Sequence, residues 1–224
     1  MEQLTLDVAA MRLPVNVVSV GAGFTYSTDG PTHHGLQDLP AVLTIPDLNI
    51  LNSSDPVNSR AFVDYAVASE RPNYIRIEKG EFPVLKLDHA FDVERGFSVA
   101  STGGGILLIS TGSIIHEIVV ALPEIERRTG EKVTLIDLFA PSVATNELTN
   151  QYIRNSTAVY VIEESYSTGI SSVIALSIAR NEINVPLRVI APKSMYYFAS
   201  GDRALLKREA GLDAVKFADL FMRC

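Results

Sequence analysis

Short runs of β-branched and aliphatic residues recur along this chain, separated by longer stretches whose apolar positions return at helical spacing. That alternation is the pattern of parallel strands joined by crossover helices, because a parallel neighbour can be reached only by a connection long enough to re-cross the sheet. Strands are expected at 15–20 (VNVVSV), 48–52 (LNILN) and 74–77 (YIRI), with helices near 36–44 and 57–70. Ser54 or Asp55 can cap the second of these helices and Pro56 can occupy its first turn. A second series of strands follows at 106–111 (ILLIST), 132–138 (KVTLIDL), 158–164 (AVYVIEE) and 187–192 (LRVIAP), with helices in the gaps and at the C-terminus. The expected fold class is therefore α/β, with two consecutive open, mostly parallel sheets flanked by helices.

Between Lys79 and Gly96 the pattern dissolves into KGEFPVLKLDHAFDVERG, rich in charge and broken by Pro83 and two glycines. A linker is expected there, which divides the chain into a first domain over 1–80, a linker over 81–97 and a second domain over 98–224. The first sheet reads as truncated. EQLTLDVAAMRL has Leu4, Val8 and Met11 on one helical face, and such a helix normally connects two strands of one sheet. The strand before it is expected on another segment, and the apolar face left open is expected to be covered by something else.

Composition narrows the class. Across 224 residues, 47% hydrophobic and 20% charged side chains mark a folded chain. The formal net charge is −7 and the basic residues are scattered, which argues against nucleic acid. The one cysteine, Cys224, is the last residue, and no apolar run is long enough for a spanning helix. The N-terminus MEQLTLDVAAMRLP has no basic start followed by an apolar block, so the expected location is the cytoplasm, without membrane association.

Candidate chemistry gathers in STDGPTHHGLQDLP, where two of the four histidines, His33 and His34, sit side by side in a polar loop. A neutral imidazole can donate or accept a hydrogen bond, and Gly30-Pro31 would fix the backbone that carries it. With Asp29-Gly30-Pro31-Thr32-His33, then Asp38-Leu39, Ile45-Pro46 and Ser54-Asp55 in order, the stretch resembles the second half of the pyrimidine-binding domain of transketolase-family enzymes. LLISTGS and VIEESYSTGISS resemble the C-terminal domain of the same family, so the likeness covers essentially the whole chain.

The resemblance implies two-carbon ketol transfer between sugars, carried by thiamine diphosphate with magnesium. It casts His33 as the catalytic residue and as a donor to sugar hydroxyls, Asp29 as a ligand of the neighbouring hydroxyl, and Lys79 as the cation where the family often has a phosphate-binding arginine. Lysine lacks the bidentate geometry of arginine at that last position. The family's glutamate and ring-stacking aromatic residues would lie upstream of Met1; Glu2 does not match their context, and the diphosphate-binding domain is absent from the sequence. The cofactor is thus expected only in a complete assembly, not on the isolated chain. The expected partner is an N-terminal transketolase-like subunit or missing segment, in a homodimer or heterotetramer. A 1-deoxy-D-xylulose-5-phosphate synthase-like section and a non-catalytic assembly module are the alternatives.

Other polar features have plainer readings. His34 is expected to point elsewhere, either as a structural residue or as a support behind the site. STGGG (101–105) and STGS (110–113) match no full phosphate-binding pattern, so their glycines are expected in turns. Ser113 is expected to cap a helix starting at Ile114, with His116 on the surface of its first turn. Of Glu163 and Glu164, one is expected to be solvated and one to cap a helix. Tyr196, Tyr197 and Phe198 are expected to pack on the second sheet.

Overall fold

The computed structural model describes residues 1–88 and 91–221; Cys224 lies outside the described residues. Asn16–Val20 (β1), Asn49–Asn52 (β2) and Asn73–Ile77 (β3) form a three-stranded sheet in the order β1-β3-β2, all parallel. Asp38–Val42 (α1) and Pro56–Ala68 (α2) make the connections around it. Asp55 caps α2, accepting the Asn58 N–H at 2.8 Å, and Pro56 stands at its start. Pro56 has no N–H to leave unpaired there.

The second sheet has five strands: Ser98–Ser101 (β4), Ile106–Ser110 (β5), Thr134–Asp137 (β6), Ala158–Ile162 (β7) and Leu187–Ile190 (β8), in the order β4-β6-β5-β7-β8. Its core strands are parallel, and β4 runs antiparallel on β6. The sequence pattern missed β4, since SVAS is too short and too polar to stand out. Gly103 and Gly104 then turn the chain back into β5. A Cβ on Gly103 would lie 2.3 Å from the Lys132 backbone, so the turn passes where only glycine fits. Ile115–Thr129 (α3), Glu147–Arg154 (α4), Ile170–Arg180 (α5), Arg203–Glu209 (α6) and Ala214–Asp219 (α7) complete the chain. The fold is α/β with two mostly parallel open sheets, as the sequence pattern indicates.

The two sheets are not separate beads. One apolar cluster runs from Leu39, Ile50 and Tyr74 through Leu107, Ile136 and Val161 to Ile174. Residues 78–97 contain no helix or strand among the described positions, yet they are tied down. The Leu85 N–H donates to Asp55, the Asp88 N–H to the Val99 carbonyl, and Phe91 packs its ring 5.1 Å from Phe62 and 5.0 Å from Phe139.

The N-terminal segment departs from its expected geometry. It is a π-helix over Leu4–Ala9, with Ala9 buried and Leu4 against the core, while Met11 is 66% exposed. Met11 lies beyond the helix, in the turn that follows it, and so is off the face that ordinary helical spacing assigns to it. β1 is an edge strand among the described residues, with alternating exposure that leaves Val18 at 56% and Val20 at 49%. The Asn16 side chain on that same face donates to the Ala66 carbonyl of α2, so the exposed valines lie on the side that α2 packs against. Val63 and Val67 of α2 are themselves 59% and 80% exposed.

Candidate functional site

The carboxyl ends of the parallel strands in the two sheets abut, and the loops leaving them carry the polar residues of interest. In open α/β sheets this is where ligands collect. Gly21 follows β1 and its N–H donates to Ile77, the last residue of β3. Gly23 and Gly35 then exchange backbone hydrogen bonds at 3.0 and 2.8 Å, closing residues 24–34 into a loop.

Asp29 and His33 sit, both exposed, in two consecutive turns of that loop. The Asp29 N–H donates to the Tyr26 carbonyl at 3.1 Å and the His33 N–H to the Gly30 carbonyl at 3.0 Å. Gly30 takes φ +78°, a conformation that suits glycine. Thr32 Oγ1 stands 3.0 Å from His33 Nδ1; with the hydroxyl donating, Nε2 carries the proton and faces outward as a donor. Lys79 is also exposed, its Nζ 5.3 Å from the centre of the Tyr26 ring. Asp29, His33 and Lys79 are thus all exposed, with Tyr26 tied to Asp29 through the backbone and to Lys79 through its ring.

The base of the loop is locked. Asp38 takes a bidentate contact from Arg76 at 2.8 and 3.1 Å and a hydrogen bond from the Tyr74 hydroxyl at 3.1 Å. The same guanidinium donates to the Gly35 carbonyl at 2.5 Å. Burial opposes the charge of Arg76, but Asp38 outweighs it and holds the group above its ordinary value. His34 turns inward against Phe24, with ring centres 5.2 Å apart, and among the described residues neither of its buried nitrogens has a hydrogen-bond partner.

Beneath the loop lies an ionic cluster that the sequence did not reveal. Glu78 after β3, Ser113 after β5 and Glu164 after β7 converge on Arg203 at the start of α6. Arg203 reaches Glu78 at 2.8 and 3.1 Å, Glu164 at 2.7 and 3.1 Å, and Ser113 Oγ at 3.1 Å. Thr25 and Ser113 donate to Glu78 at 2.5 and 2.6 Å, and the Phe24 N–H donates to Glu164 at 2.9 Å. Burial disfavours the Arg203 charge, but Glu164 and Glu78 more than offset this and raise its affinity for the proton.

Several sequence readings are corrected by this geometry. Ser113 lies in a 3-10 turn, Gly112–Ile114, and its hydroxyl serves Glu78 rather than capping α3. His116 is not a surface residue: it is half-buried, its Nε2 lies 2.8 Å from the Ser54 carbonyl, and Phe82 stacks on its ring. Neither glutamate after β7 is solvated. Glu163 is fully buried and accepts from the Ile170 and Ser171 N–H groups at the start of α5, where the helix dipole favours an anion. Glu164 is 5% exposed in the ionic cluster. Of the three aromatics, Tyr197 is buried, but Tyr196 and Phe198 are 61% and 79% exposed. Adjacent carboxylates at a strand end were a legible signal, whereas an arginine opening a helix carries none.

Between the sheets, Asp137 at the end of β6 is fully buried. Ser54 and Asn58 donate to its Oδ2 at 2.5 and 3.0 Å, while its Oδ1 has no partner among the described residues. Burial pushes its pKa up to about 7, against the two hydrogen bonds and with help from Asp55. Among the described residues, no group of three or more His, Cys, Asp or Glu side chains is arranged to hold a metal ion. None of the described helices is long and apolar enough to cross a membrane.

Comparison with known proteins agrees with this arrangement. Residues 1–84 match the family model of the transketolase pyrimidine binding domain, and 97–216 that of the transketolase C-terminal domain. The chain is 27% identical over 220 residues to an apulose-4-phosphate transketolase subunit of Actinobacillus succinogenes, covering 98% of this chain and 70% of that protein. It is 30% identical over 217 residues to 1-deoxy-D-xylulose-5-phosphate synthase of Dechloromonas aromatica, covering 95% of this chain but 34% of that protein. Among solved structures, a split gene transketolase described as an inactive beta4 tetramer superposes with a TM-score of 0.86 at 21% identity, over 99% of this chain and 70% of that one. The transketolase of Campylobacter jejuni gives 0.79 at 14% identity, over 100% and 33%. With both of its sheets matched, the chain belongs to the transketolase family.

Proposed function

We propose that this chain is the C-terminal section or subunit of a thiamine-diphosphate-dependent enzyme that transfers two-carbon ketol units between sugars, active only when an N-terminal half completes it. The observation that supports the reading is the loop closed by the Gly23–Gly35 bridge at the carboxyl end of a parallel sheet, which presents both Asp29 and His33 exposed. When bound, the cofactor supplies the carbon nucleophile of ketol transfer. His33 would donate from Nε2 to hydroxyls near the reacting carbons, Asp29 would accept from the neighbouring hydroxyl, and Lys79 would face a terminal phosphate. Holding a sugar in one orientation is what such a closed loop contributes to rate.

Binding of thiamine diphosphate and magnesium is assigned to the complete assembly rather than to this chain alone. Two relatives support a partner: one is named as a transketolase subunit, and the split-gene structure, when built of one subunit type, is described as inactive. The proposed assembly is a cytoplasmic homodimer or heterotetramer.

The test is reconstitution with an N-terminal transketolase section supplied in trans, measuring ketose cleavage. His33→Ala is expected to lower activity by on the order of a hundredfold, as removal of a positioned proton donor does. Because His33 is exposed, its thermal midpoint should barely move. Unchanged cleavage in that variant would favour a non-catalytic assembly module. Calorimetric titration of the isolated chain with thiamine diphosphate and magnesium should give no measurable heat of binding, and micromolar binding would contradict the split.

A further inference from the structure

The loop that carries Asp29 and His33 belongs to the first sheet, but much of what grips its base comes from the second. The Glu164 carboxylate accepts the Phe24 N–H at 2.9 Å. It packs so closely under Gly23 that a Cβ there would fall 2.4 Å from its carboxyl carbon. Gly35, the bridge partner of Gly23, is equally crowded: its Cβ would fall 2.7 Å from the Gly21 carbonyl. The Tyr166 N–H donates to the Leu36 carbonyl at 3.0 Å, and the Tyr197 ring meets Phe24 edge-on at 5.1 Å. Behind Glu164, Arg203 bonds both it and Glu78, so the carboxylate cannot swing away without leaving a buried guanidinium short of a partner.

We propose that Glu164, backed by Arg203, is a positioning residue: through the Phe24 N–H and the Gly23 contact it sets the pose of the loop that bears Asp29 and His33. The catalytic meaning of that pose rests on the function proposed above; the mechanical coupling does not. The C-terminal domain then acts on the sugar-facing loop without touching the sugar, and two glycines allow the approach. Loss of the carboxylate frees the bridge between Gly23 and Gly35 and lets the loop sample other poses, while β5 and β7 keep their own ladder.

Amide hydrogen exchange on the full chain reads this directly. In Glu164→Ala, exchange at Gly23, Phe24 and Gly35 is expected to rise at least about tenfold, with the amides of β5 and β7 unchanged. Glu164→Gln, whose amide oxygen can still accept from Phe24, should restore most of the protection. The ring proton resonances of His33 should shift in the alanine variant and return in the glutamine variant, a response that a general loss of stability would not produce. Wild-type protection of Gly23, Phe24 and Gly35 in Glu164→Ala overturns the proposal. Should that variant unfold, Glu164→Asp withdraws the carboxylate while keeping its charge: faster exchange confined to 23–35 supports the coupling, and unchanged exchange refutes it. Absence of ketose cleavage in the reconstituted wild type would count against the proposed function alone, since the exchange experiment needs neither partner nor substrate.

Discussion

Asp137 shows how one side chain can set a pH dependence. Its carboxyl is raised by burial from 3.8 to about 7, so the folded state holds a proton that the unfolded chain has already released. The stability this group contributes is full below about pH 4 and is lost as pH rises towards 7, beyond which a buried charge persists. Asp137→Asn removes the titration and keeps the shape. The variant is expected to gain over the wild type as pH rises from 4 to 7 and to hold that gain at pH 8. The gain should be on the order of 4 kcal/mol, from about 1.4 kcal/mol for each tenfold change in proton affinity. Thermal unfolding at pH 4 and pH 8 measures it, and an equal difference at both would show that Asp137 is charged throughout.

Helix α2 depends on a residue that the sequence offered as one of two choices. Asp55, not Ser54, is the cap, and its second oxygen accepts the Leu85 N–H at 2.9 Å, so one carboxylate starts the helix and pins the segment after β3. Ser54 turns instead to Asp137. Asp55→Ala is expected to cost about 2 kcal/mol, a lost cap of about 1 and an unpaired N–H of similar size. The midpoint of urea unfolding reads this, and a change under about 0.5 kcal/mol would show that solvent replaces both bonds. The strands of both sheets were legible because β-branched runs bounded by turn residues announce themselves locally. β4 was not, because its pairing with β6 comes from a neighbour remote in sequence. Nor was the π-geometry of the first helix, or its early end, which leaves Met11 in an exposed turn.

For the whole molecule, the surface over β1 and α2 is expected to govern association. Val18 and Val20 on an edge strand, beside Val63 and Val67, leave an apolar surface and an unpaired ladder on one side. Such surfaces pair with other chains. In the absence of a partner, the chain is expected to self-associate through this face. Light scattering on a concentrated sample should give a mass above that of one chain, and Val18→Lys with Val63→Lys should return it towards monomer with an unchanged thermal midpoint. A monodisperse wild-type monomer would count against the open face as an interface.

The alternation of strands and helices, the cap and proline that open α2, and the Asp29 to His33 motif could all be read from the order of residues, because each is written in neighbours along the chain. Where the carboxylates went was settled by packing in three dimensions. Glu78, Glu164 and Arg203 are separated by up to 125 residues, yet share one guanidinium, and Asp137 reaches across to Ser54 over 83. Local periodicity tells which side of an element is buried. The partner a buried charge finds is fixed by how two sheets bring their strand ends together, and no short stretch of residues contains that information.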